Sequence, residues 1–211
     1  MYNLCQHILD EVPKSDYLGV TISNDLKWAP HIAKITGKAH KTLGFIRRNL
    51  KQSPQELREL AYFSMIRSVL DYCSAIWDPH LKKDIDSIEG VQRRAARFVK
   101  QDYKWDSSVT KMLQELNWST LQDRRRETRL VLMYKIVNGV VAVPADDYLN
   151  RGYRRTRRNS QNYRQYSTKF ETFRNSFIPR TITDWNKLPD SIINCDTVDS
   201  FKNRLADKVC Y

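Results

Sequence analysis

Apolar and polar positions change period along this chain, and the change comes at Pro30. Before it the runs are short. Tyr2–Leu4 and His7–Glu11 partly alternate and predict a hairpin across Cys5-Gln6. Tyr17-Leu18-Gly19-Val20-Thr21-Ile22 is rich in aromatic and β-branched residues and closes on Ser23-Asn24-Asp25, which predicts a strand. After Pro30, residues Ile32, Ile35, Ala39, Leu43, Ile46 and Leu50 recur at helical spacing. Lys34, Lys38, Lys41 and Arg48 keep the same period on roughly the opposite face, so this helix buries one side and raises a cationic ridge on the other.

Helical spacing continues to the C-terminus. Ser53-Pro54-Gln55-Glu56 predicts a helix start with Ser53 as cap. That helix carries Leu57, Ala61, Ile66, Leu70, Cys73 and Trp77 inward and stops at Asp78-Pro79. A third helix runs from about Lys82 to Lys100, with Ile85, Ile88, Val91, Ala95, Phe98 and Val99 inside and Arg93, Arg94, Arg97 and Lys100 outside. A short helix follows around Ser108–Leu116. Ser119-Thr120-Leu121-Gln122 predicts a capped start for the next one, which Asn138-Gly139 ends. Two more are expected, near Ser176–Trp185 and after Asp196 or Thr197. The fold class is mainly α, with a small N-terminal β element. Candidate boundaries fall at Trp28–Pro30, Gln101–Asp106 and Gly139–Arg151, dividing the chain into 1–29, 30–101 and 102–211.

Charge sharpens this picture. The 211 residues carry a net +12. Residues 34–51 hold six bases and no acid; residues 151–180 hold eight arginines and Lys169 against Glu171 alone. The rest is close to neutral, so the excess belongs to two local surfaces, as polyanion binding requires. In the loop 151–168, Arg154, Arg155, Arg157 and Arg158 flank Tyr153: guanidinium forks suit phosphate, and aromatic faces suit unpaired bases. Phe170, Phe173 and Phe177 read as core positions. Arg124-Arg125-Arg126 lies near a helix N-terminus, where each exposed positive charge costs about 0.3–1 kcal/mol. A phosphate, or a neighbouring acid such as Asp123 or Glu127, would compensate.

Composition offers little for catalysis. Four cysteines do not make a disulfide scaffold, and Cys73 reads as a packed thiol in an intracellular setting. His31, His40 and His80 stand singly, without metal-ligand spacing. No run approaches the ~18 apolar residues that span a bilayer, and no membrane partner is expected. Ala145-Asp146-Asp147 resembles the core of a polymerase metal motif, but Val143-Pro144 precedes it where a strand would be needed. It reads as a loop or helix cap.

Tyr17-Leu18-Gly19-Val20, Leu26-Lys27-Trp28 and His31-Ile32 together resemble the segment after the palm in reverse transcriptases of non-LTR (LINE-type, jockey-like) retrotransposons. Leu43-Gly44-Phe45-Ile46-Arg47-Arg48, Val69 to Trp77, Val91 to Arg97, Leu121 to Arg125, Tyr134 to Gly139, Phe177 to Arg180 and Trp185 to Pro189 continue the likeness in order over nearly the whole chain. The resemblance implies that residues 1–29 are the last palm strands, 30–101 a helical thumb, and 102–211 the C-terminal helical region. It gives Lys34, Lys38, Lys41 and Arg48, with Arg93, Arg94, Arg97 and Lys100, the task of gripping a template–primer backbone. It places Tyr17, Leu18, Gly19 and Val20 near the primer end. The family's Mg2+-binding carboxylates lie upstream of the Tyr-Leu-Gly-Val segment, where this chain has only sixteen residues. The expectation is therefore a truncated copy or fragment, inactive alone and without its own cofactor. RNA, DNA or an RNA–DNA hybrid is the expected partner, alongside the missing palm and fingers, in the nucleus or a cytoplasmic ribonucleoprotein. The alternative is a helical protein-interaction module derived from a retroelement.

Overall fold

The computed structural model describes residues 2–4, 7–9, 11–152 and 160–209. Two separate antiparallel hairpins open the chain. β1 (Tyr2–Leu4) pairs with β2 (His7–Leu9), and β3 (Lys14–Tyr17) pairs with β4 (Val20–Ser23). The second hairpin corrects the expected strand over Tyr17–Ile22. Leu18 and Gly19 both have positive φ (47° and 83°) and form a two-residue turn between strands that start and end inside that run. Two positive φ angles are what a twisted hairpin asks of its turn, and Gly19 meets the demand without a Cβ penalty. Strand propensity alone does not reveal this break, which lies at the glycine inside the run. β4 buries Val20, Thr21 and Ser23, whereas all of β3 is exposed, so the hairpin lies on the helices by one strand.

Helix α1 (Ala29–Asn49) has Pro30 in its first turn, where a missing N–H costs nothing, and Arg47 and Arg48 in its last turn, where they complement the helix dipole. The single helix expected over 55–77 is instead a bent series: α2 (Gln55–Tyr62), a π-helical turn (Phe63–Arg67), α3 (Ser68–Asp71) and α4 (Ser74–Trp77). The spacing of its apolar residues explains the π turn. Ala61 and Ile66 are five apart, one residue too many for an α-helix, and the wider turn keeps Ala61, Ile66 and Leu70 on one buried face. Leu57, expected inside, is 45% exposed. Between α3 and α4 the chain breaks at Cys73 (φ 51°), and the Trp77 indole N–H closes the corner on the Tyr72 carbonyl at 2.8 Å. Ser53 does not cap α2. Pro54 takes that position, and Arg58 ties the Ser53 carbonyl to the Val99 carbonyl of the next long helix.

That helix, α5 (Lys82–Lys100), ends on Gln101 in the left-handed region. α6 (Val109–Glu115) is capped by Ser108, and α7 (Leu121–Val137) by Thr120 rather than Ser119. Glu89 of α5 adds a second cap to α7, accepting from the Gln122 and Leu121 amides at 2.8 and 3.3 Å. Burial still raises the Glu89 carboxyl above its usual range. Gly139 (φ 65°) ends α7. One-turn helices α8 (Ala145–Tyr148) and α9 (Glu171–Arg174), then α10 (Phe177–Trp185), α11 (Asp190–Ile193) and α12 (Val198–Val209), complete the chain.

Two apolar cores result, and α7 belongs to both. The first gathers β4 and α1 to α6 and takes in Trp118 and Leu121. Trp118 stacks on Tyr62 with ring centroids 4.2 Å apart. The second is built by Leu130, Met133 and Tyr134 of α7 against Ile182, Trp185, Phe201 and Leu205. Trp185 and Phe201 are fully buried, and each large side chain of this kind contributes about 1.5–3 kcal/mol. The packing therefore divides within α7, later in the chain than residue 101. Phe170 and Phe173 lie outside both cores and are exposed; Phe177 packs partly on the second.

Candidate nucleic-acid interface

The residues proposed to grip a backbone start on α1. Its buried stripe is Ile32, Ile35, Ala39, Leu43 and Ile46, as the sequence period requires. Lys38, Lys41 and Arg48 stand on the opposite face, exposed, and form no ion pair or hydrogen bond among the described residues. Lys34 is different. Its Nζ sits 2.8 Å from Asp16 Oδ2 and 3.4 Å from Thr21 Oγ1, so it fastens α1 to the second hairpin. The Lys34 hydrogen bond, helped by Thr21, holds the Asp16 carboxyl below its usual range.

The α5 ridge divides too. Arg93 and Arg94 are exposed, and the Arg94 guanidinium reaches the His40 ring at 3.0 Å. Burial, then the Arg94 charge, lowers the His40 pKa. Arg97 is not a free contact: its guanidinium holds the carbonyls of Lys104 and Ser107 at 3.0 and 3.3 Å and shapes the loop before α6. Lys100 pairs with Glu115 at 2.9 Å and ties α5 to α6. These two belong to the fold, because the chain after α5 doubles back over their side of the helix. The expected primer-proximal strand of Tyr17, Leu18, Gly19 and Val20 is corrected to a turn. Tyr17 and Leu18 are exposed at its tip, Val20 is buried, and the Leu18 carbonyl accepts from the Tyr72 hydroxyl at 3.0 Å. Arg154, Arg155, Arg157 and Arg158, with Tyr153, lie outside the described residues.

A groove next to the ridge was missed. Between the C-terminal ends of α1 and α5, Arg47, Arg48, Lys51, Phe98, Gln101 and Tyr103 line an open cavity of about 950 Å³. Arg47 lies over the Tyr103 ring, 5.3 Å from its centroid, a cation–π contact. The signal was in the same acid-free window: Arg47 shares the flank of α1 that His40 and Gly44 turn toward α5, and Lys51 follows just past the helix end. The ridge and the groove form one continuous basic surface with an aromatic ring at its edge.

The arginines of α7 do something else. Arg124 bonds Asp71 at 2.7 Å. Arg125 and Arg129 are buried, and both donate to the buried Asp78, at 2.9 and 2.8 Å. Arg129 also reaches Asp184 at 2.9 Å, Arg126 lies 3.3 Å from Asp184, and Arg180 lies 3.2 Å from Asp78. The acids directly paired with these arginines thus come from α3, the end of α4 and α10; Glu127 feels the charges of Arg124 and Arg126 without a direct pair. His31 is likewise internal. It is buried against Trp77, with ring centroids 5.2 Å apart, and its Nδ1 accepts the Thr21 amide at 3.2 Å. Asp146 and Asp147 are exposed in the one-turn helix α8. Among the described residues, no three His, Cys, Asp or Glu side chains are grouped to hold a metal ion.

No protein-family model, curated protein or solved structure matches the chain.

Proposed function

We propose that this chain binds nucleic-acid backbone without strong sequence preference, in the manner of the thumb and C-terminal region of a non-LTR retrotransposon reverse transcriptase. The observation that carries the reading is the solvent face of α1: Lys38, Lys41 and Arg48 have no ion pair or hydrogen bond among the described residues and lie beside the groove of Arg47, Lys51 and Tyr103, with no acid between residues 34 and 51. Bases without an internal counter-charge are free to replace the counterions of a polyphosphate. The ordered family-like segments support the parentage, and the reading assigns this chain binding rather than chemistry. The test is the affinity for an RNA–DNA hybrid as a function of salt. A steep log–log fall that becomes shallower when Lys38, Lys41 and Arg48 are changed to Gln supports it; a salt-insensitive interaction overturns it. Polymerase activity of the purified chain that is lost on Asp147→Ala would also overturn it.

One observation favours a protein-interaction module instead. Leu26, Ile76, Leu81 and Phe173 are exposed around an apolar cavity of about 290 Å³. An acidic protein that displaces bound hybrid more effectively than free RNA does would move the function to that class.

A further inference from the structure

The arginine network around α7 has more guanidiniums than directly paired carboxylates. Asp78 and Asp184 pair with four guanidiniums, those of Arg125, Arg126, Arg129 and Arg180, while Glu89 and Glu127 add negative charge near Arg125 and Arg126 without a direct pair. Part of the network is out of solvent. Arg125 and Arg129 are 0% and 2% exposed, and both terminal nitrogens of Arg125 lack a hydrogen-bond partner among the described residues. Burial pulls the Arg180 pKa below the ordinary arginine value, with Asp78 opposing the shift and Arg129 adding to it. Guanidinium donors that outnumber their directly paired carboxylates favour an acceptor-rich anion at a surface from which the network can be reached.

Such a surface exists. Arg126, Arg129 and Arg180, but not Arg125, line a cavity of about 840 Å³ between α7, α10 and residues 165–168. Arg174 and Lys187 line it as well. Asp123 and Asp184 are the acids that line it. Asp184 is paired with Arg126 and Arg129, and Asp123 is hydrogen-bonded to the Thr120 hydroxyl. The volume lies within the range of small-molecule sites. Arginine forks together with the amide and hydroxyl groups of Gln122, Ser167 and Thr168 in the lining suit a tetrahedral oxyanion with several acceptor oxygens.

We propose that this cavity is a phosphate-binding site, separate from the α1 surface, whose ligand is the phosphate group of either a free nucleotide or a nucleic-acid strand. The site does not depend on the reading of α1. The probe is inorganic pyrophosphate, titrated by calorimetry into the full chain at fixed ionic strength. Three proteins are compared: the wild type, Arg126→Gln/Lys187→Gln, and Lys38→Gln/Lys41→Gln/Arg48→Gln. Arg126 and Lys187 are chosen because they are partly exposed and Asp184 keeps Arg129 in their absence. The expected result is saturable binding, weakened at least tenfold in the first variant and unchanged in the second. Absent binding to the wild type, equal affinity in the first variant, or loss in the second each overturns the site. Displacement of pyrophosphate by a nucleoside diphosphate in preference to a 5′-phosphorylated oligonucleotide supports the site with a free nucleotide as its ligand, and the reverse order supports it with a strand end.

Discussion

Helices α1 and α7 carry bases at similar density, and only α1 offers most of them to solvent. On α1, Lys38, Lys41 and Arg48 are opposite the buried stripe. On α7, Arg125 and Arg129 stand in the stripe itself, four residues apart between Leu121 and Met133, all four of them buried. A charge on the apolar face of a helix must find its counter-charge inside the protein, and Asp78 and Asp184 supply it from distant segments. A charge on the polar face keeps its water and stays free for an external partner unless a neighbouring element reaches it, as β3 reaches Lys34 and α6 reaches Lys100. The phase of a base relative to the apolar period, rather than the number of bases, separates an interface from a scaffold.

The comparison can be broken most sharply at Asp78. Asp78→Ala leaves buried guanidiniums uncompensated and should cost about 3–5 kcal/mol in urea unfolding. Changing Lys38, Lys41 and Arg48 together to Gln should leave stability within about 0.5 kcal/mol, since no ion pair or hydrogen bond among the described residues is lost. The same triple variant should lower the salt dependence of hybrid binding by about 0.9 in log–log slope for each phosphate contact removed. An Asp78 variant as stable as wild type, or a triple variant that unfolds, would dissolve the distinction between the two helices.

Smaller effects sharpen it. Burial, then the Lys34 charge, lowers the His31 pKa, against Asp16. The folded protein therefore binds this proton less readily than the unfolded chain, whose histidine titrates near about 6.5. The stability that neutral His31 contributes is present above that pH and is lost as pH falls through the lower folded value. Unfolding midpoints across pH 7 to 5, beside the ring proton shifts of His31, check the sign. Arg124→Gln should cost about 1 kcal/mol or less by urea unfolding, because the Asp71 pair is only half-buried. It sits between the two classes in exposure and should do so in energy.

The long periodic segments were legible before the structure. α1, α5, α10 and α12 begin and end within a residue or so of where caps, prolines and apolar spacing put them. The second hairpin was not, because its turn is made by Leu18 and Gly19 inside a run of strand-forming residues. The π turn was present only as the five-residue gap between Ala61 and Ile66. At the interface, the period separated Lys38, Lys41 and Arg48 from the core. It could not show that Lys34, Arg97 and Lys100 find internal partners, since those depend on where β3, the 102–107 loop and α6 return. The arginines of α7 were visible as a run, but their acids lie 47 to 58 residues away in sequence.

Helix α7 gives its first turn to one core and its last three to the other, with the Asp78 network at the crossing. Neither half of the chain then has a complete interior of its own. A cut near residue 102 removes Trp118 and Leu121 from the N-terminal half, and it strips the C-terminal half of the α4 and α5 surfaces against which α7 begins. A helix shared in this way ties the unfolding of one half to that of the other, and the centre of α7 is where such coupling is carried.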